Sequence, residues 1–115
     1  MQIEVKGRHD VTVTDALRDQ VHRRFEKVAK QVDGSATLEI ELSREHNPAN
    51  PICNIAEATL RFKGSTLRAH EASREMPHAI NLVAEDIARQ VKRVRDKRRG
   101  PRAGEGYEAP AAGAM

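Results

Sequence analysis

Eight basic side chains fall within the fourteen residues 89–102, where Asp96 is the single acid. Arg89, Lys92, Arg93, Arg95, Lys97, Arg98 and Arg99 carry most of that charge, and with Arg102 they give the segment a net of +7. Residues 1–88 carry 12 basic and 14 acidic groups, a net of −2. So concentrated a positive charge is the electrostatic footprint of a surface for a polyanion, and guanidinium forks suit bidentate contact with phosphate. The plainer reading is a solvated helix end or a basic tail. A second group of cations, Arg18, His22, Arg23, Lys27 and Lys30, lies far upstream. Arg23 to Lys27 and Lys27 to Lys30 are steps of four and three, which share a face on a helix. Two such helices side by side would present one composite basic surface.

Other chemistry is thinly represented. Glu39 and Glu41 share a strand face and could be drawn as an acid/base pair, although an exposed charged face opposite Arg61 or Arg68 explains them as well. Cys53 is the single cysteine, without a local signature that would make it a nucleophile, and it has no partner for a disulfide. His9, His22, His46, His70 and His78 show neither HxxxH nor HExxH spacing, so no metal site is expected. No GxxxxGK[ST] or GxGxxG string occurs, and neither a cofactor nor a small-molecule substrate is expected. The aromatics are Phe25, Phe62 and Tyr107, two on apolar stripes and one in the tail. Base-stacking platforms are thus lacking, and contact with phosphates and riboses, read by shape, is the expected mode of nucleic-acid binding.

The elements that must position these groups follow from periodicity. Ile3 and Val5 alternate with Gln2, Glu4 and Lys6, a short strand stopped at Gly7. Thr14 is a fitting N-cap, and Leu17, Val21, Phe25, Val28 and Val32 form the apolar stripe of one amphipathic helix ended by Asp33-Gly34. Alternation resumes over Ala36 to Leu42 and again over Ile55 to Phe62, separated by the loop REHNPANP. Gly64-Ser65 reads as a two-residue turn into a fourth strand carrying Leu67 and Ala69. A long helix begins near Ser73, with Met76, Ile80, Val83, Ile87, Val91 and Val94 as its stripe and Pro77 in its first turn, where a missing N–H costs little.

The order β-α-β-β-β-α predicts an α+β fold, a two-layer sandwich with both helices on one face of a four-stranded, mostly antiparallel sheet. A chain of 115 residues suffices for one core. Residues 1–99 are expected to form the domain, and residues 100–115, rich in Gly, Ala and Pro, a disordered tail. No window approaches a membrane span and the N-terminus lacks the apolar core of a secretory signal. With a lone cysteine, these features point to the cytoplasm.

Several strings in this order resemble the ribosome hibernation promoting factor and ribosome-associated inhibitor family, also labelled sigma-54 modulation proteins. They are Gly7-Arg8-His9, Thr14-Asp15-Ala16-Leu17-Arg18, Ala56-Glu57-Ala58-Thr59-Leu60, Glu75-Met76 through Ala79-Ile80, and Arg89-Gln90-Val91. The resemblance covers about residues 1–99 and implies a fold like that of double-stranded-RNA-binding domains (dsRBD-like). It further implies a translation-silencing factor that occupies the mRNA channel and the aminoacyl and peptidyl tRNA sites of the small ribosomal subunit, protecting idle ribosomes. The family's basic surface matches Arg18, Arg89, Lys92, Arg93, Arg95 and Lys97, and its post-strand loop matches Arg8 and His9. Pro77 and Asn81 stand where the family often has an aromatic and an aspartate. Long members add a dimerisation domain after a linker, so this chain resembles a short form or the N-terminal part of a longer member, expected to be a monomer in isolation.

Three readings are carried forward. The first is a ribosome-binding translation inhibitor, with rRNA contacts at Arg18, His22, Arg23, Lys27, Lys30, Arg89, Lys92, Arg93, Arg95, Lys97, Arg98 and Arg99 and loop contacts at Arg8 and His9. The second is a protein-interaction module modulating a transcription factor. The third is a small hydrolase or nuclease using Glu39 and Glu41.

Overall fold

A computed structural model describes residues 1–8, 11–45, 49 and 53–99, the side chains of residues 98 and 99 excepted. Its elements are β1 (Gln2–Gly7), α1 (Asp15–Arg24), α2 (Glu26–Gln31), β2 (Thr37–Arg44), β3 (Asn54–Phe62), β4 (Ser65–Ser73) and α3 (Met76–Arg99). The strands lie in the order β1-β2-β3-β4, with β1 parallel to β2 and the other two pairs antiparallel. Parallel pairing of β1 with β2 requires a crossover, which α1 and α2 supply across one sheet face. The α+β architecture expected from the periodicities is therefore present. The residues expected to form a disordered tail lie outside those described.

One sheet face is apolar because alternate residues point the same way. Val5 pairs with Ile40, Leu38 with Leu60, Leu42 with Ala56, and Ala58 with Ala69. Against this face lie Val21, Phe25 and Val28 from the first helices and Ile80, Val83, Ile87 and Val91 from α3, all essentially buried. Alanine at 56, 58 and 69 leaves room for α3 to pack closely on β3 and β4. Val94, partly buried, continues the α3 stripe into its C-terminal third.

Two local expectations are corrected. The helix expected from Thr14 to Asp33 is divided at Phe25, whose backbone (φ −98°, ψ 9°) leaves helical values. Hydrogen bonds from Phe25 N to Val21 O and from Ala29 N to Phe25 O run through the break. The chain direction is kept while the largest fully buried ring is seated in the core. The hairpin turn is Lys63-Gly64 rather than Gly64-Ser65, since Phe62 pairs with Ser65. Both turn residues have positive φ, 50° and 76°, the type I′ geometry whose twist matches that of the flanking strands. A lysine in the left-handed region gave no compositional signal for this register. The second long helix starts at Met76 rather than near Ser73, because Ser73 still pairs with Asn54 at the end of β4.

Candidate nucleic-acid interface

The first helix is anchored at its start by Thr14, whose Oγ1 accepts a hydrogen bond from Leu17 N. Asp15 occupies its first turn and His22, Arg23 and Arg24 its last, a polarity that complements the helix dipole. Once the stripe of Val21, Phe25 and Val28 is committed to the core, the remaining positions must face solvent or α3. Arg18, His22, Arg23, Lys27 and Lys30 are all exposed. So are Arg89, Lys92, Arg93 and Lys97 on α3, while Arg95 is half-buried. The Nε of Arg95 is closed off from solvent and has no hydrogen-bond partner. The side chains of Arg98 and Arg99, and all of His9, lie outside the described residues.

Two amide side chains determine how the helices are turned. Gln20, 9% exposed, donates from Nε2 to the Pro77 carbonyl at 2.8 Å and to Asn81 Oδ1 at 2.9 Å. The flank of α1 that carries Gln20 therefore faces α3, and Arg24, four residues on, and Lys27, three beyond that, continue it. Arg18 and His22 fall on the other side of the apolar stripe, turned away from α3. Arg23 and Lys30 point outward between these flanks. On α3, the strip from Pro77 and Asn81 continues through Ala84 and Ala88 to Lys92 and Arg95. Its opposite flank is fixed by Gln90, whose Nε2 donates to the Arg68 carbonyl on β4 at 2.8 Å and to Asp86 Oδ1 at 3.1 Å. Arg93, three residues after Gln90, and Lys97, four beyond that, extend that flank along the sheet edge, and Arg89, one turn before Arg93, lies toward the outer face of the helix.

The cations predicted from sequence thus share the helix layer and are spread over several of its flanks. By helical spacing Lys27 on α2 and Lys92 and Arg95 on α3 fall on the flanks where these two helices meet, Arg93 and Lys97 on the far side of α3, and Arg18 and His22 on the side of α1 away from α3. Arg24 was missed in the sequence. Its spacing from Lys27 was visible, but its value depends on which flank of α1 meets α3.

Two ion pairs of the described residues lie at the β1 edge of the sheet. On the open sheet face Lys6 Nζ lies 2.8 Å from Glu39 Oε2, and Arg8 Nε 3.1 Å from Glu41 Oε2. Arg8, expected as a loop contact, has its guanidinium engaged there. The carboxylates therefore pair toward β1 rather than with Arg61 or Arg68. Among the described residues no basic side chain of α1, α2 or α3 makes an ion pair. Those cations are available to an external anion.

Glu39 is poorly disposed to act as a general acid. The hydrogen bond from Lys6, and then its charge, hold Glu39 below its ordinary pKa, and the same contact raises Lys6. A general acid needs the reverse shift. Glu39 and Glu41 line an open depression of about 370 Å³ with Glu57, Thr59, Arg68 and His70. Among the described residues no three His, Cys, Asp or Glu side chains are grouped to hold a metal ion. Nor is any helix among them long and apolar enough to cross a membrane.

Residues 3–99 match the family described as "Sigma 54 modulation protein / S30EA ribosomal protein". The "Ribosome hibernation promotion factor" of Picosynechococcus sp. is 31% identical over 101 residues, 87% of this chain and 52% of that protein. The chain thus spans about half the length of that relative. It spans 96% of the "Ribosome hibernation promoting factor" of Salmonella typhimurium, which is 30% identical over 97 residues, 84% of this chain. The fold is similar to the N-terminal domain of Thermus thermophilus Protein Y (TM-score 0.70, 24% identity, 82% of this chain and 99% of that one). It is also similar to a ribosomal subunit interface protein from Coxiella burnetii (TM-score 0.66, 19% identity, 83% and 98%). The match over nearly the whole described domain makes this chain a member of the sigma 54 modulation protein / S30EA ribosomal protein family.

Proposed function

We propose that this chain is a ribosome hibernation factor that lays its helix layer against the RNA of the small ribosomal subunit. There it occupies the mRNA channel and the aminoacyl and peptidyl tRNA sites, silencing translation and protecting idle ribosomes. The observation that carries the reading is the density of unengaged cations on the helices: none of the described basic side chains of α1, α2 and α3 makes an ion pair, whereas Lys6 and Arg8 beside β1 are held by Glu39 and Glu41. An unpaired basic helix face loses its self-repulsion when phosphates lie alongside, with release of counterions. Phe25 and Phe62 are buried in the core, so the described residues offer no aromatic platform for bases. Contact to phosphate and ribose, read by shape, is the mode this surface suits. The curated relatives carry hibernation names, and the role asks for no catalysis. The reading of a transcription-factor module finds an echo in the first half of the family description, but no relative named above carries it.

The test is co-sedimentation with purified small subunits across a salt series. Binding weakens with salt by about 0.7–0.9 log units per phosphate contact per decade. The triple charge reversal Arg89→Glu/Arg93→Glu/Lys97→Glu abolishes it at near-physiological salt. Unchanged affinity in that variant refutes the assignment of the helix face.

A further inference from the structure

We infer that α3 acts as a wedge between two separate runs of phosphate backbone, each held by a different flank of the helix. The inference rests on the RNA-binding function proposed above and specifies how the partner is arranged around it.

One run is held in the groove beside α2, by Arg24 and Lys27 on one wall and Lys92 and Arg95 on the other. That wall assignment follows from the Gln20 contacts with Pro77 and Asn81. Arg95 supplies an independent observation. Its Nε is packed out of reach of solvent, which fixes the stem of the side chain, so that contact with an anion falls to the rest of the guanidinium. The second run lies over the β4 edge along Arg93 and Lys97, on the flank fixed by the bond from Gln90 to the Arg68 carbonyl.

Between the flanks runs an outer crest that exposes Glu85, Arg89 and Asp96. With its side chains a helix is about 10–12 Å across, so two backbones on either side are held apart by at least that width. The two strands bordering the wide, shallow groove of an RNA duplex meet this requirement, and so do two segments at a junction.

Two paired variants separate the tracks: Arg24→Gln/Lys27→Gln and Arg93→Gln/Lys97→Gln, all at exposed positions. Each pair lowers the salt slope of small-subunit binding by about 1.4–1.8, the contribution of two phosphate contacts, and the combined variant lowers it by the sum. Tethered iron–EDTA at Lys27→Cys or at Lys97→Cys, in a Cys53→Ser background, then maps what lies along each flank. Cuts on the two strands of one duplex identify a groove, and cuts in unrelated segments identify a junction; both carry the inference. Coincident cuts from the two positions, or a salt slope insensitive to one pair, overturn it while leaving the proposed function standing. Failure of the unaltered protein to bind small subunits overturns the proposed function itself.

Discussion

The contact that orients the two helices can be tested by removing Gln20. Its amide is nearly buried and makes two hydrogen bonds across the interface, to the Pro77 carbonyl and to Asn81 Oδ1. At about 1 kcal/mol net for each bond, Gln20→Ala costs about 2 kcal/mol. For a domain of this size each kcal/mol shifts the midpoint by ~4–8 °C, so Tm falls by ~8–16 °C. Asn81→Ala removes one of the two bonds and costs about 1 kcal/mol. If the bond between the two side chains stabilises the protein, the double variant is less damaged than the sum of the single ones. The expected coupling is about 1 kcal/mol. Urea unfolding followed by circular dichroism, with unchanged m-values, measures all corners of the cycle. Effects that add to within ~0.3–0.5 kcal/mol would refute the reasoning that this bond, rather than apolar packing alone, sets the helix pairing.

The Lys6–Glu39 pair predicts a specific pH profile. Glu39 is lowered from 4.5, so its contribution is present above that value and fades as pH falls through the lowered one. Lys6 is raised from 10.5, so its contribution is present below that value and fades as pH rises through the raised one. The stability difference between the native chain and Glu39→Gln should be flat between these limits and shrink outside them, and added salt should reduce it. A difference that grows on acidification refutes the assignment. At Gly7, a Cβ would run into the backbone carbonyl oxygen of Val11, which cannot rotate away as a side chain could. Gly7→Ala should therefore cost about 1–3 kcal/mol in urea unfolding, the range for an overpacked site; a neutral result would mean that the loop after β1 shifts freely.

Much of the molecule was legible in one dimension. A period of two along Leu38, Ile40 and Leu42 and of about 3.6 along Val21, Phe25 and Val28 reports which side chains lie together on one element. These patterns give the elements, the core face and the two-layer arrangement. The cations were also plain, since exposed basic residues are what remains after the apolar stripe has been assigned. The break at Phe25 was hidden because the apolar spacing runs through it undisturbed. The turn was displaced by one residue because Lys63, rather than a second glycine, adopts positive φ.

Tertiary structure decided the rotation of each element about its own axis relative to its neighbours. Periodicity leaves that rotation open on the solvent side, where no burial enforces it. It is set here by hydrogen bonds spanning 57 and 61 positions at Gln20 and 22 positions at Gln90. Those contacts assign Arg24 and Lys27 to the groove, Arg93 and Lys97 to the far flank, and Arg18 to the opposite rim. The charge of Arg8 was likewise readable, but its pairing with Glu41 exists only because parallel pairing brings the end of β1 alongside β2. Composition thus determined that this chain has a basic helix layer, and long-range geometry decided how that layer is divided.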